Sequence, residues 1–270
     1  MLSVIVVTYN SAEQIELCLD SLRSALAHWG GQGEILVVDN ASSDDTGRLV
    51  GRDQDVRLLR QPFNLGFAAG VNAGLRECRG ELVLLINPDC FFEHGLGSMV
   101  RFLETHPNVA VVGPRIIDES GTSRFYSGRF PSLVNQFAQH FGLLRLFPRS
   151  SFLARHLYRD WDHGADRRVD WLTGACLLLR MSAIAEVGPM DEDYFLYAEE
   201  VDLQWRLAKA GYETWYLTEP RVRHLGGRSA RSHRATGMLD GILVAEFAES
   251  LTLFFRKQRG PAQAWIHRRM

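Results

Sequence analysis

Polar side chains that can accept hydrogen bonds or bind cations follow three of the predicted buried strands. Thr8-Tyr9-Asn10 follows the first strand, Asp39-Asn40 the second, and Asn87-Pro88-Asp89 the fourth. Each group alone is typical of a turn, because Asn, Asp and Pro favour turns. Three such groups at corresponding strand ends are expected to converge on one crevice, since ligands bind outside the carboxyl ends of parallel strands.

A second group of carboxylates opens a predicted helix in the other half of the chain. Glu199, Glu200 and Asp202 lie within four residues, which is more negative charge than stabilisation of a helix dipole requires. A further acidic run, beginning at Asp191, precedes the same helix. These residues are candidates for acid–base or binding chemistry, and exposed acids at a helix start are the alternative.

The elements that would position these residues alternate regularly in the first third of the chain. Apolar, β-branched runs predict strands, and apolar residues recurring at spacings of three and four predict helices. This alternation implies parallel βαβ units with right-handed crossovers, in a sheet covered on both faces. The predicted strands are 2–7, 34–38, 56–60 and 81–86, and the predicted helices are 15–29, 44–52 and 67–78.

The second half of the chain has a less regular pattern. Two segments, 135–160 and 238–259, mix aromatic and basic residues in a helical pattern. The other predicted elements are a strand at 171–179, a short helix at 182–187, a helix at 199–210 and a strand at 213–217.

Composition narrows the class of protein. The chain has 270 residues, 46% hydrophobic and 23% charged, which is ordinary for a soluble globular protein. No apolar run approaches the roughly 20 residues needed to span a bilayer, and the N-terminus lacks the basic start of a signal peptide. A cytoplasmic protein is therefore expected. Four scattered cysteines without a C-x-x-C pair predict neither disulfides nor a zinc site.

Charge is distributed unevenly along the chain. Residues 1–100 have a net charge of −6, whereas residues 221–270 have a net charge of +7. A basic C-terminal segment suggests an anionic partner, which would be a phosphate, an anionic membrane surface or a nucleic acid.

Several segments, taken in order, resemble the inverting glycosyltransferases of family 2. They cover roughly residues 3–230 and are VVTYN, VVDNASSDDT, NLGFAAGVNAG, LLINPD, WLTGACLLLR, FLYAEEVDLQWRLAKAG and RVRHLGG. The pattern most resembles rhamnosyltransferase-like members, whose C-terminal segment is similar to ESLTLFFRKQRG here. The resemblance implies the α/β fold of nucleotide-diphospho-sugar transferases (GT-A). That fold has a mostly parallel central sheet flanked by helices, here with a C-terminal helical extension on the acceptor side.

The resemblance implies a donor site at the strand ends. Asp39 is similar to the family residue that accepts a hydrogen bond from the imide N–H of the base, which suits uracil or thymine because a carboxylate only accepts. Tyr9 is expected to stack on the base or, alternatively, to lie in the core. The donor-binding residues so implied are Thr8, Tyr9, Asn10, Asp39, Asn64, Gly66, Asn87 and Asp89.

The resemblance also implies a metal site. The family motif D-x-D reads Asn87-Pro88-Asp89 here, so only Asp89 carries over as a ligand. Mg²⁺ or Mn²⁺ bound there would neutralise the donor diphosphate as its bond to the sugar breaks. Family members often have a histidine that completes the metal shell, and His224 is similar to it. A polar loop histidine is the alternative.

The acidic pair at the helix start is similar to the family pair whose second member is the catalytic base. The pair is commonly Glu-Asp and here is Glu-Glu, so the role falls on Glu200, which would take the proton of the acceptor hydroxyl. The alternatives are a core position for Trp171 and a scaffold role for Glu199 and Asp202. The acceptor-binding residues implied are Trp171, Gly174, Asp191, Glu199 and Asp202.

The resemblance further predicts the domains and partners. Residues 1–230 would form the catalytic domain, with a nucleotide-binding half (1–113) and an acceptor-binding half (114–230), and residues 231–270 a helical extension packed on it. The partners would be a dTDP- or UDP-sugar and a saccharide or polyprenyl-linked acceptor, with no nucleic acid. The basic C-terminal segment would contact the inner face of the cell membrane, pack on the catalytic domain, or bind a second copy in a homodimer.

Two other classes of protein share parts of this pattern. A nucleotidyltransferase of related fold usually has a G-x-G-T-R loop after its first strand, where this chain has TYNSAEQ. A non-catalytic nucleotide-sugar binding module would not need the acids found at the strand ends. We therefore expect a metal-dependent inverting glycosyltransferase that transfers a sugar such as rhamnose in cell-envelope polysaccharide synthesis.

Overall fold

The computed structural model describes residues 1–123, 127–143, 161–225 and 238–270, with side chains in the last range from residue 245 onward. The strands are β1 (Leu2–Thr8), β2 (Gly33–Asp39), β3 (Val56–Arg60), β4 (Leu82–Ile86), β5 (Cys90–His94), β6 (Val109–Ile117), β7 (Ser127–Gly128), β8 (Arg167–Val169), β9 (Trp171–Leu172), β10 (Cys176–Arg180) and β11 (Glu213–His224). The helices are α1 (Ile15–Trp29), α2 (Thr46–Val50), α3 (Phe67–Glu77), α4 (Leu96–Thr105), α5 (Leu133–His140), α6 (Met181–Val187), α7 (Glu199–Lys209), α8 (Met238–Phe254) and α9 (Pro261–His267), with a π-helical turn (Phe255–Arg259) between the last two.

The central sheet is mostly parallel. Its strand order is β3-β2-β1-β4-β10-β6-β11-β5, and β8 pairs with β11 off this path. Strands β1 to β4, β6 and β11 run in one direction, and β5, β8 and β10 run in the other. The structure therefore confirms the predicted α/β fold.

Both faces of the sheet are covered by helices. Along β1, Val4 and Val6 point into one apolar core, while Ile5 and Val7 point into the other. Helices α1 and α4 cover the first face, and α3, α6 and α7 cover the second. This double burial explains why β1 and β4 are apolar at successive positions instead of alternating with polar residues.

One strand of the second half is inserted into the first half. The segment 171–179, predicted as one strand, instead forms the short β9, a turn, and β10. Strand β10 lies antiparallel between β4 and β6, with Cys176 opposite Ile86. The backbone N–H of Asn87 then donates to the carbonyl of Ala175 at 2.9 Å. The insertion brings β10 and the turn before it directly against the carboxyl end of β4.

Strand β11 is longer than predicted. The sequence indicated residues 213–217, but the strand continues to His224 after a register irregularity between Tyr216 and Arg221. Beyond that irregularity it pairs antiparallel with β5. The Thr218–Pro220 stretch interrupts the apolar pattern, which is why the sequence alone predicted an earlier end.

The C-terminal extension packs against helix α7 and against the loop that precedes it. Phe254 and Phe255 are fully buried, the hydroxyl of Ser250 donates to the carbonyl of Leu196 at 2.8 Å, and the guanidinium of Arg259 lies 4.2 Å from the ring centroid of Trp205. Of the other predicted aromatic and basic segment, α5 covers the beginning, and residues 144–160 lie outside the described residues. Within the described ranges, no helix is long and apolar enough to cross a membrane.

Candidate active site

The three polar groups at the strand ends lie side by side. Because β2, β1 and β4 are neighbours in the sheet, Thr8 pairs with Asp39 in register. The backbone N–H of Asn40 donates to the carbonyl of Thr8 at 2.8 Å, and its side-chain amide donates to Asn64 Oδ1 at 3.0 Å and to the carbonyl of Gly66 at 2.8 Å. The three groups therefore lie at the same edge of the sheet.

The residues predicted to hold the nucleobase differ in exposure and in their hydrogen bonds. Asp39 is buried, and its Oδ1 accepts a hydrogen bond from the backbone N–H of Ser42 at 3.1 Å. Asn10 adopts a left-handed φ of 52°, from which its Oδ1 accepts the N–H of Ser43 at 2.8 Å. Tyr9 is 43% exposed, so its ring is open to a ligand and does not lie in the core.

Asp89 and His224 form a close pair at the edge of the sheet where these strands end. Asp89 Oδ2 lies 3.2 Å from His224 Nε2, and both side chains are largely buried. The pair exists because β5 and β11 are antiparallel, which sets His224 opposite Cys90. The N–H of Leu225 also donates to the carbonyl of Asp89 at 3.0 Å. Two residues far apart in sequence are thus held together by backbone pairing.

The donor atoms around Asp89 are suited to a divalent cation. In the described part of the chain, Asp89, Cys90 and His224 offer ligand atoms that lie within 4.8 Å of one another. Burial raises the pKa of the Cys90 thiol well above its usual value, and the charge of Asp89 raises it further. Cys90 is also part of the apolar core beneath the pair. The remaining oxygen and imidazole ligands suit an ion that keeps further positions for phosphate oxygens.

The two glutamates at the start of α7 have different environments. Glu199 is only 4% exposed; burial, and then the neighbouring charge of Glu200, raise its pKa well above the ordinary value. Glu200 is partly exposed, and burial of its carboxyl group also raises its pKa, although backbone N–H groups, including that of Gly174, partly offset the rise. Within the described residues, one carboxylate oxygen of each glutamate, Glu199 Oε2 and Glu200 Oε2, is buried without a hydrogen-bond partner. The two therefore differ in the exposure of the whole residue, which is greater for Glu200.

Gln204 fixes the turn that faces Glu200, and the sequence interpretation missed it. Its side-chain amide donates to the carbonyls of Leu172 at 2.7 Å and Glu200 at 2.9 Å, and its Oε1 accepts the N–H of Leu172 at 2.8 Å. The turn after β9 therefore brings Gly174 beside Glu200; a β-carbon on Gly174 would lie 3.7 Å from Glu200 Cβ. A buried amide one helical turn after Glu200 was the available signal.

The loop before α7 links the donor and acceptor sides. The N–H of Phe67, at the start of α3, donates to the carbonyl of Phe195 at 2.9 Å. Tyr197 and Ala198 then take left-handed φ values of 70° and 66°, which are uncommon for residues other than glycine and cluster at functional sites. This strained turn sets where helix α7 begins, at Glu199.

The other predicted acceptor residues occupy more structural positions. Asp202 is fully buried and accepts hydrogen bonds from Arg206 Nε at 2.8 Å and from Gln258 Nε2 at 2.6 Å, which favours its scaffold alternative. Asp191 pairs with Lys257 of the C-terminal extension. The indole N–H of Trp171 donates to the carbonyl of Arg129 at 3.0 Å, and the ring packs in an apolar cluster, which favours its core alternative.

Solved structures with the same architecture are GT-A glycosyltransferases. The structure of GalNAc-T7 with UDP, GalNAc and Mn²⁺ matches with a TM-score of 0.61 and 14% identity, over 83% of this chain and 43% of that chain. The mannosyltransferase PcManGT from Pyrobaculum calidifontis, in complex with GDP-Man and Mn²⁺, matches with a TM-score of 0.58 and 21% identity. The match covers 95% of this chain and 63% of that chain. The protein therefore has the GT-A fold of nucleotide-sugar-dependent glycosyltransferases.

The sequence relationships are more specific. The family model for glycosyl transferase family 2 matches residues 3–182. An N-acetylglucosaminyl-diphospho-decaprenol L-rhamnosyltransferase of Mycobacterium tuberculosis is 34% identical over 254 residues, which cover 87% of this chain and 80% of that protein. The chain belongs to glycosyltransferase family 2 and is a glycosyltransferase.

Proposed function

We propose that this protein is a metal-dependent inverting glycosyltransferase that moves a sugar, rhamnose, from a dTDP- or UDP-donor to a lipid-linked saccharide in cell-envelope polysaccharide synthesis. The observation that carries the proposal is the pairing of Asp89 with His224 at 3.2 Å, at the sheet edge where the polar residues that end β1 and β2 also lie. The identity with the mycobacterial rhamnosyltransferase along most of both chains supports the choice of sugar and acceptor class.

The donor would lie across the ends of β1, β2 and β4. Asp39 would accept a hydrogen bond from the imide N–H of uracil or thymine. An ionised carboxylate only accepts hydrogen bonds, so it suits such a donor better than a base edge that presents an acceptor. Thr8, Asn10 and Asn64 would line the nucleoside. Asp89 and His224 would hold the divalent cation, which supplies positive charge to the diphosphate as it leaves. An imidazole ligand favours Mn²⁺ over Mg²⁺, because Mg²⁺ prefers oxygen.

Glu200 would act as the general base. The acceptor oxygen forms a bond to the anomeric carbon while the bond from that carbon to the diphosphate oxygen breaks, and the electron pair leaves with the nucleotide. The Glu200 carboxylate takes the proton of the attacking hydroxyl, which is typically worth about 10²- to 10⁴-fold in rate. Attack opposite the leaving group inverts the configuration.

A panel of nucleotide-sugars tests the proposal. The protein is incubated with dTDP- and UDP-sugars, Mg²⁺ or Mn²⁺, and a polyprenyl-diphosphate-linked N-acetylglucosamine, and glycosylated product is measured. Transfer of rhamnose that stops with a chelator and with Asp89→Asn is the expected result. Release of pyrophosphate from a nucleoside triphosphate and a sugar phosphate would instead indicate a nucleotidyltransferase, and metal-dependent donor binding without transfer would indicate a binding module.

A further inference from the structure

Exposed apolar side chains are concentrated on two helices that contact each other. Helix α9 packs against α5. On α5 and the residue after it, Val134, Phe137 and Phe141 are spaced by three and four residues and are each about half exposed, so they share one face. On α9, Trp265 is 60% exposed and Ile266 is 42% exposed. We call these five residues the α5–α9 patch.

The chain around this patch is cationic and lacks acids. No aspartate or glutamate occurs from residue 250 to residue 270, nor from 121 to 159. Arg256, Arg268 and Arg269 are exposed, and none of the three makes an ion pair with any side chain that the structure describes. The guanidinium of Arg269 lies 4.0 Å from the ring centroid of Trp265. The patch therefore combines exposed aromatic rings with fixed positive charge.

The neighbouring helix α8 has the opposite charge character. Its outward side includes Phe247 together with Glu246 and Glu249. A negative surface would be repelled there and attracted at α9. The charges thus distinguish the α5–α9 patch from the longer basic C-terminal segment that the sequence indicated.

We propose that the α5–α9 patch docks onto an anionic lipid surface. Tryptophan and phenylalanine insert into the boundary between headgroups and acyl chains, while arginines bind anionic headgroups. A second copy of the chain fits less well, because a two-fold contact through the patch would bring together two surfaces that both carry exposed arginines. The proposal rests on the proposed function for its purpose, which is to bring a lipid-linked acceptor to the site.

The position of the patch relative to the catalytic side supports that purpose. The π-helical turn that leads into α9 includes Lys257, which pairs with Asp191 and Asp193 in the loop before α7. The next residue, Gln258, donates to the buried Asp202 of α7. A bilayer bound at α9 would therefore be connected through the π-helical turn to helix α7, which carries Glu200 in its first turn.

Vesicle co-sedimentation of the full-length protein tests the proposal without donor or acceptor. Vesicles of phosphatidylcholine alone are compared with vesicles that also contain phosphatidylglycerol, at low and high salt. We expect binding to the anionic vesicles that weakens with salt. Arg268→Gln with Arg269→Gln should lower this binding about 30-fold, and Phe137→Ser with Trp265→Ser should lower it at least about tenfold. Leu17→Ser, at a 61% exposed position on α1, is the matched control and should bind as wild type.

Two outcomes would overturn the proposal. One is wild-type protein that does not bind anionic vesicles. The other is unchanged vesicle binding by Phe137→Ser with Trp265→Ser. If the same variant also changes from dimer to monomer in sedimentation velocity, the patch is assigned to a second copy instead. Failure of the proposed function is separately visible, because it would leave vesicle binding intact while no sugar is transferred to any acceptor.

Discussion

At the scale of single residues, the pair Glu199 and Glu200 shows that neighbouring positions of one motif can have different environments. Both carboxyl groups are taken out of water by folding, and burial raises the pKa of each. Each also has an oxygen without a hydrogen-bond partner among the described residues, but only Glu200 is partly exposed as a residue. A raised pKa suits a general base, since it increases the driving force for taking a proton.

Replacing Glu200 with glutamine should abolish transfer while leaving donor binding nearly unchanged. The amide keeps the size of the side chain but cannot take the hydroxyl proton, so we expect kcat to fall by at least about 10²-fold. Glycosyl transfer and donor affinity, measured by titration calorimetry, check this. In the wild type, kcat should rise with pH along a limb displaced upward from the ordinary carboxyl pKa. Near wild-type turnover of Glu200→Gln would refute the assignment.

Replacing Glu199 with glutamine should change the stability of the protein in a way that depends on pH. A carboxyl group whose pKa is raised by folding binds protons more tightly in the native state, so the free energy of unfolding falls as pH rises from the unfolded pKa to the native one. We expect Glu199→Gln to be more stable than wild type at about pH 8 and similar at about pH 4, where both states are protonated. Urea unfolding at the two pH values measures this. An equal offset at both values would contradict the role of burial.

At the scale of elements, the site depends on close backbone contact between α3 and the loop before α7. Gly66 has a φ of 91°, and a β-carbon there would lie 2.2 Å from the carbonyl oxygen of Phe195. That same carbonyl accepts the N–H of Phe67. The donor-side loop and the strained turn before Glu200 are thus positioned by one contact that only glycine permits.

Gly66→Ala should therefore reduce both stability and catalysis. We expect a loss of more than about 2 kcal/mol, from the unfavourable φ together with the clash, and a lower kcat because the turn before Glu200 must move. Gly121→Ala is the matched control, since Gly121 has a φ of 79° but nothing within 4 Å of its β-carbon position. It should lose only about 1 kcal/mol. Chemical denaturation and transfer assays compare the two, and equal losses would show that φ alone matters.

Strands illustrate what periodicity can and cannot predict. The first four strands were predicted within about one residue: β1, β2 and β4 are mainly apolar runs buried on both faces, and β3 is a short edge strand with apolar residues at Val56, Leu58 and Leu59. The run at 171–179 was wrong as a single strand, since apolar character does not reveal the turn at Gly174 or the antiparallel insertion between β4 and β6. Partners in a sheet are chosen by long-range packing, which local patterns do not encode.

At the scale of the whole molecule, the C-terminal extension is joined to the catalytic helix through a buried polar network. Gln258 donates to Asp202 Oδ1, and Arg206 donates to Oδ2 of the same carboxylate. Arg206 in turn donates to the carbonyls of Val187 and Pro189, both at 2.8 Å. The extension is thus joined by hydrogen bonds to helix α7.

Gln258→Leu should weaken this connection. Removing one donor from a buried carboxylate costs about 1–3 kcal/mol, which corresponds to a fall in Tm of several degrees for a chain of this size. We also expect a lower kcat on a water-soluble acceptor with little change in the KM for donor, because α7 holds Glu200. Gln54→Leu, in an exposed turn, is the control. Unchanged Tm and kcat for Gln258→Leu would show that the extension supports neither the stability of helix α7 nor the activity of Glu200.

The amino-acid sequence by itself determined the βαβ half of the fold, the polar residues at the strand ends and the acidic pair, because buried apolar runs and the polar residues that end them are local features. Only the tertiary structure decided that His224 lies 3.2 Å from Asp89 and that Gln258 of the C-terminal turn donates a hydrogen bond to the buried Asp202. These contacts join residues 56 to 135 positions apart. They depend on which strands and helices pack together, and no local pattern carries that information.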